Sequence, residues 1–162
     1  MTCGQSEVVL HWQIFEGELD CGDVRSLLSQ HFSEMHAGSP PDACHVLPIE
    51  GLSDPSIRFF TLRENGVLLG CGALKKLSHD HGEVKSMRTA NAALGRGVGQ
   101  AMLNHLLESA RQQGLSRVSL ETGSTGQFAA ANRLYEKNGF ERSGPFGDYP
   151  DTPWTHFYTR MI

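Results

Sequence analysis

Gly95-Arg96-Gly97-Val98-Gly99 stands between a short strand-like stretch, Glu83 to Thr89, and a strongly periodic helical pattern. Such spacing suits an anion. Residues without a Cβ let backbone N–H groups close on phosphate oxygens. The helix that follows directs its unpaired first-turn amides and the positive end of its dipole at the same place. Arg96 adds a side-chain cation to that grip. A plain glycine-rich connection is the alternative, and the surroundings decide between the two. Downstream, Leu134-Tyr135-Glu136-Lys137-Asn138-Gly139-Phe140 brings a phenol to the end of another helix, and Glu83 and Arg88 lie on the stretch that leads into the turn. His31, His36, Ser39 and His45 gather in one earlier segment.

These groups need a scaffold, and the apolar pattern supplies one. Val8 to Phe15 alternates as a first strand. From Asp23, read as an N-cap, Val24, Leu27, Leu28, His31, Phe32 and Met35 recur at helical spacing, and the helix ends in Ala37-Gly38-Ser39-Pro40-Pro41-Asp42. Ile57 to Arg63 and Val67 to Lys75 flank Asn65-Gly66, a type I′ hairpin signal. A second hairpin around His79 to Gly82 leads into Glu83-Val84-Lys85-Ser86-Met87-Arg88-Thr89. After the glycines, Met102, Leu103, Leu106, Leu107 and Ala110 share one helix face. Arg117 to Thr122 reads as a strand, Phe128 to Lys137 as a helix capped at Asn138-Gly139, and Phe140 to Phe146 and Trp154 to Met161 as late strands. The order predicts a mixed α/β layer fold around one sheet, residues 1–162 forming a single domain. A helical crossover from the Glu83 strand to the Arg117 strand makes that pair parallel.

Composition narrows the function classes. With 39% hydrophobic and 20% charged residues, the chain belongs among globular proteins, and a net charge of −4 without any basic run argues against nucleic acid or anionic membranes as partners. No apolar stretch approaches membrane length, and Met1 to Val9 lacks a basic region leading into an apolar one, so a cytoplasmic protein is expected. The four cysteines, Cys3, Cys21, Cys44 and Cys71, form no C-x-x-C pair, which argues against zinc or a disulfide framework. His79-Asp80-His81 invites a metal reading, but its setting before Gly82 predicts a solvated hairpin tip, and no metal is expected.

Three phosphate-binding patterns compete for the glycine turn. A P-loop needs Gly-Lys-Ser/Thr, where this chain has Gly99-Gln100-Ala101. A dinucleotide fingerprint needs glycine or alanine where Gln100 stands, although Glu121 is suitably spaced for a ribose; its first strand is also normally apolar, unlike Glu83 to Arg88. The run from Glu83 to Met102, with Ala131-Asn132-Arg133-Leu134-Tyr135-Glu136-Lys137-Asn138-Gly139-Phe140, resembles the GNAT superfamily of acyl-CoA-dependent N-acyltransferases, and the element order matches along nearly the whole chain. Ser39-Pro40-Pro41, Gly72-Ala73-Leu74-Lys75, Lys85 to Thr89, Leu120-Glu121-Thr122-Gly123 and Gly144-Pro145-Phe146 look like a small bacterial subgroup with mostly unassigned acceptors.

The resemblance implies acetyl-CoA as co-substrate and the amine of a small, possibly amino-acid-like molecule as acceptor, in a monomer or homodimer. A non-catalytic acyl-CoA-binding module is the alternative. Met87 and Thr89, with Arg88 between them, would offer backbone groups to the pantetheine and the acyl carbonyl. Leu94, Gly95, Arg96, Gly97, Val98, Gly99 and Gln100 would hold the pyrophosphate, with Asn132 as a further coenzyme contact. Two departures stand out. Leu94 replaces the usual Arg or Gln at the head of the turn, and Phe128 takes the place of a frequent asparagine. Glu83, where some members carry a catalytic glutamate, would relieve the acceptor amine of its proton, or else is a solvated hairpin-end carboxylate. Tyr135 would protonate the leaving sulfur, or else is a helix residue reaching the surface. His31, His36, Ser39 and Arg88 would select the acceptor, with Arg88 either gripping a carboxylate bidentately or paired with Glu121. Asp148 and Tyr149 either line the far side of the pocket or form a simple turn.

Overall fold

The computed structural model describes residues 11–40 and 44–162. Seven strands form one sheet. In chain order the elements are β1 (Trp12–Glu16), α1 (Gly22–Ala37), β2 (Ile57–Glu64), β3 (Val67–Lys76), β4 (His81–Thr89), α2 (Val98–Gln112), β5 (Arg117–Gly123), α3 (Ala129–Lys137), β6 (Glu141–Ser143) and β7 (Thr155–Met161). The spatial order is β1-β2-β3-β4-β5-β7-β6. Every neighbouring pair is antiparallel except β4 and β5, which α2 joins as a crossover. One parallel pair in an antiparallel sheet cannot be a doubly wound dinucleotide fold.

Alternation along the strands buries both faces. Phe59 and Phe60, neighbours in β2, enter opposite layers. Phe59 joins Cys71, Ala73 and the α1 residues Val24, Leu27 and Leu28. Phe60 joins the α2 stripe of Met102, Leu103, Leu106 and Ala110, together with Tyr135, Phe140 and Tyr158. Each fully buried leucine contributes about 1.5–3 kcal/mol of transfer free energy. The β2–β3 turn has the positive φ angles of a type I′ hairpin, 50° at Asn65 and 84° at Gly66.

Several boundaries move from their expected places. β1 occupies Trp12–Glu16, and Val8 to Leu10 lie outside the described residues, as do Pro41 and Asp42. Asp23 is not the N-cap of α1. Cys21 holds that position without a side-chain bond, and Asp23 sits in the first turn, where it pairs with Arg63. His81 is no part of a solvated tip. It begins β4, is buried, and its Nε2 lies 2.7 Å from Ser119 Oγ, whereas His79 is 91% exposed. Among the described residues, no group of three or more His, Cys, Asp and Glu side chains is placed to hold a metal ion. Nor is any helix there long and apolar enough to cross a membrane.

The feature that creates the site is a bulge. β3 and β4 pair Cys71 with Arg88 and then Ala73 with Lys85, so Ser86 and Met87 together face Gly72. Ser86 takes a positive φ of 54°, unusual for a residue with a side chain. The parallel pairing with β5 stops at Val84–Leu120. Beyond that point β4 runs on to Thr89 and β5 runs on beside β7 to Gly123, so the two strands part.

Gly72 lets α2 pack closely behind this bulge, because a Cβ there would lie 2.8 Å from Met102 Cγ and 3.0 Å from Met87 Sδ. Gly72→Ala is expected to cost about 1–3 kcal/mol by overpacking, read as a lowered urea midpoint with unchanged slope. An unchanged midpoint would show that Met102 yields freely.

Candidate active site

The glycine turn ends as the N-terminus of α2. Gly97 is the N-cap, at φ 87° and without a side-chain cap. Its carbonyl accepts from the Ala101 amide at 3.0 Å, so the Val98, Gly99 and Gln100 amides precede the first helical donor and point out of the helix end. Gly95 has a φ of 78°, and a Cβ added at either Gly95 or Gly97 would meet nothing within 4 Å. The open space at these glycines, the unpaired first-turn amides and the helix dipole suit an anion such as a pyrophosphate.

The side chains expected to help the turn do other work. Arg96 donates to both carboxylate oxygens of Glu64 at 2.8 and 2.9 Å and lies over the Trp12 ring, which commits its guanidinium to the β1–β2 edge. Gln100 and Asn138 exchange amide hydrogen bonds at 2.8 and 2.9 Å, bracing the start of α2 against the end of α3. Asn132 is fully occupied. Its amide donates to the Gly123 and Phe128 carbonyls, and its oxygen accepts from the Tyr158 hydroxyl and lies 3.1 Å from His156 Nδ1. With its hydrogen-bonding capacity used, it organises β5 and β7 and has no group left for a coenzyme. The contributions left at the turn are therefore backbone ones, with Leu94, 64% exposed, adding apolar surface.

Where β4 and β5 part, a cavity of about 480 Å³ opens between the outer half of β4, the end of β5, α1, the segment Cys44 to Leu47 and α3. Met87, Arg88, Thr89, Leu94, Gly99 and Tyr135 line it, which brings the two ends of the turn, the bulge and the phenol to one space, while Gly95 to Val98 and Gln100 are not part of its lining. Tyr135 is 6% exposed, and burial pushes its hydroxyl well above the usual phenol range, so it stays neutral. The alternative of a hydroxyl reaching the surface does not hold for it.

Titratable side chains fill the other wall. Glu83 is 3% exposed, not a solvated hairpin end. Its Oε2 accepts from the Tyr149 hydroxyl at 2.6 Å and from Lys85 Nζ at 3.1 Å, and Lys85 also donates to the Tyr149 oxygen at 2.7 Å. Burial, then the Glu83 charge, pushes the Tyr149 phenol above its ordinary range. Glu121 does not pair with Arg88. It forms a hydrogen bond with His45 Nδ1, and burial raises its carboxyl above the usual range although His45 and Lys85 pull it back.

Arg88 instead donates Nη2 to Glu34 at 2.8 Å and to Asn91 at 3.4 Å. Its Nε is buried without a hydrogen-bond partner among the described residues, as is Nδ1 of His31, which burial drives down to about 4 and keeps neutral. Both residues line the cavity, as does Ser39. His36 does not. It is exposed, lies against Phe32 and pairs its Nδ1 with the Phe32 carbonyl at 2.9 Å. Lys85 and Tyr149 are the partners that sequence reasoning missed or left as a turn. The period of two that puts Glu83 and Lys85 on one strand face was the available signal for the first.

A parallel pair split beside an uncapped helix N-terminus, with a phenol on the same cavity, is the arrangement that the resemblance to acyl-CoA N-acyltransferases implies. The comparisons agree. The family model described as "Acetyltransferase (GNAT) family" matches residues 23–140, and the chain belongs to that family. It is similar to the uncharacterized N-acetyltransferase YsnE of Bacillus subtilis, 44% identical over 139 residues that cover 86% of this chain and 92% of that one. The uncharacterized N-acetyltransferase YedL of Escherichia coli is 43% identical over 86% of this chain and 87% of its own. A GNAT family acetyltransferase from Elizabethkingia anophelis, solved with acetyl-CoA bound, superposes with a TM-score of 0.69 at 17% identity, covering 94% of this chain and 99% of that one. The protein is thus a GNAT-family acetyltransferase with acetyl-CoA as co-substrate.

Gly97→Val places a branched side chain at φ 87°, a strain of about 1–3 kcal/mol, and puts bulk into the open space there. Acetyl-CoA affinity measured by calorimetric titration should fall by about tenfold or more. Unchanged affinity would remove the turn from the coenzyme site.

Proposed function

We propose that the enzyme transfers the acetyl group of acetyl-CoA to the amine of a small molecule that also carries a carboxylate. The observation that carries this acceptor class is Arg88. A buried guanidinium N–H without an acceptor costs about 1–3 kcal/mol or more, and Arg88 holds such a donor on the cavity wall beside neutral His31. Glu34 fixes one edge of the guanidinium, and a ligand carboxylate satisfies the donors that remain.

On this reading the two ends of the cavity have different duties. The backbone amides from Gly95 to Gln100 hold the pyrophosphate. Met87 and Thr89, on the stretch of β4 that β5 leaves unpaired, offer backbone groups to the pantetheine and the acyl carbonyl, where a strand amide stabilises the developing oxyanion. Tyr135, neutral and desolvated, donates its hydroxyl proton toward the departing sulfur. Glu83 stands with Lys85 and Tyr149 across from it, and His45 with Glu121 beside it, as the groups able to receive the acceptor's proton.

Release of free thiol from acetyl-CoA across a panel of amino acids and of amines without an acid group tests the reading. Acid-bearing amines should be turned over best. Arg88→Gln should raise their KM by about tenfold or more, the loss of a charge-assisted bond worth about 1.5–3 kcal/mol, and leave plain amines unaffected. An equal change in both classes would sink the carboxylate assignment. Tyr135→Phe should lower kcat by about a hundredfold, within the range of general acid catalysis, without changing acetyl-CoA affinity. Equal kcat in both proteins would reduce the phenol to packing.

A further inference from the structure

We infer that His45 is the general base of the transfer, held by Glu121, and that Glu83 positions Tyr149 and Lys85 instead of taking the proton. The inference rests on the acetyl-transfer reading above and concerns which group acts at that site.

Place is the first argument. Glu121 follows Leu120, the last residue of β5 that β4 pairs with through Val84, so it stands at the apex of the opening. Its carboxylate meets His45, which comes from the segment after α1, and both residues line the cavity with Met87, Thr89 and Tyr135. An acyl group entering between the strands meets this pair next to the bulge.

Orientation is the second. An ionised carboxylate only accepts hydrogen bonds, so the imidazole nitrogen facing Glu121 carries the hydrogen. That leaves the lone pair on Nε2, the nitrogen turned away from Glu121. A carboxylate that fixes a histidine tautomer in this way prepares the opposite nitrogen to accept a proton. The Tyr149 ring, 5.1 Å from the imidazole, limits rotation from the other side.

Occupancy is the third. Glu83 Oε2 already accepts from a phenol and an ammonium, and Lys85 in turn reaches the phenol oxygen. This closed triangle fixes Tyr149 against His45. The charged and titratable groups around His45 are thus Glu121 from β5, Glu83 and Lys85 from β4, and Tyr149 from the segment before β7. His31 and Glu34 of α1 and Arg88 of β4 stand on the same cavity's acceptor wall.

In the reaction, an ammonium proton passes to His45 Nε2 and from there to water. The freed nitrogen lone pair forms the N–C bond to the thioester carbonyl carbon, and the C–S bond breaks. Sulfur takes the Tyr135 hydroxyl proton, and the second proton lost from nitrogen returns through solvent to the tyrosine oxygen. The products are the amide, the free thiol and one proton.

The test is the pH profile of kcat/KM for the best amine of the panel, in wild type, His45→Gln and Glu83→Gln. At pH 7 His45→Gln should lose about 10²–10⁴-fold, the usual contribution of general base catalysis. The gap should narrow steadily as pH climbs toward about 10, where an alkylamine sheds its own proton. Acetyl-CoA affinity should be unchanged, which also shows that the variant folds. Glu83→Gln should keep the wild-type profile shape at whatever rate it retains. Nitrogen NMR of the free protein gives a second readout. His45 should be the Nδ1–H tautomer in wild type and should lose that preference in Glu121→Gln. A His45→Gln profile parallel to wild type, loss of the low-pH activity in Glu83→Gln alone, or an Nε2–H tautomer in wild type overturns the inference. Failure of wild type to turn over any amine defeats the acetyl-transfer proposal and this inference together, whereas turnover with a parallel His45→Gln profile defeats this inference alone.

Discussion

Everything at the site depends on β4 leaving β5. A sheet that stayed zipped past Val84 would satisfy its own backbone groups and leave no room for a thioester. The bulge at Ser86 and Met87 prevents this by inserting an extra residue against Gly72 and turning the strand at a positive φ. The strain is tolerated because the surroundings over-determine it. Gly72 admits Met102 and Met87 from one side, and the buried Cys71 lies behind, its thiol pushed to about 12 by burial and 3.5 Å from the Ser86 carbonyl. A thiol so placed fills space and does no chemistry.

The polar groups of the cavity follow from the same opening. Burying Glu83, Lys85, Glu121 and Arg88 near one another is costly unless each charge has a partner. The structure pairs Glu83 with Lys85, Glu121 with His45, and Arg88 with Glu34. Opposite charges therefore alternate around the wall, and the phenol of Tyr149 links the first pair to the ring of the second. Arg88 Nε and His31 Nδ1, without partners among the described residues, are on the side where α1 and its following segment close the cavity. Satisfied groups hold shape there, and the unsatisfied ones are where the proposed function seats the acceptor.

Elements with a local cause were legible in the sequence. Asn65-Gly66 made its hairpin because both residues accept positive φ, and the Met102–Ala110 stripe made a helix because its period matches one face. The crossover from β4 to β5 followed from a helix between two strands. The grouping of turn, strand and Tyr135 came from motif resemblance, and the cavity is lined by Met87, Arg88, Thr89, Tyr135 and, from the turn, Leu94 and Gly99. What stayed hidden was decided by partners far apart in sequence. Arg96 looked free beside the glycines but meets Glu64, Gln100 meets Asn138, and Asn132 meets β5 and β7. His36 shares a helix with His31, yet five residues of helical rotation turn it to solvent. A pair between Glu121 and Arg88 was one of two alternatives that charge allowed, where the geometry chose a histidine that spacing could not have nominated.

This division between local and distant causes has a functional counterpart. In the proposed function, the coenzyme end is built from one continuous stretch, β4 through the start of α2, and its remaining contributions are backbone amides. Side-chain substitutions that preserve φ at Gly95 and Gly97 leave those amides in place, so the donor end tolerates a Leu94 where a cation would serve. The acceptor end is the reverse. In the same proposal its chemistry comes from side chains on α1, the Cys44–Leu47 segment, β4 and β5, with Lys85 held by Tyr149 and Arg88 by Glu34. A change at any one of these alters a pairing, and with it the charge pattern that a ligand meets. Donor recognition can therefore persist while acceptor recognition diverges, because the first is a property of backbone shape and the second of a network of paired charges.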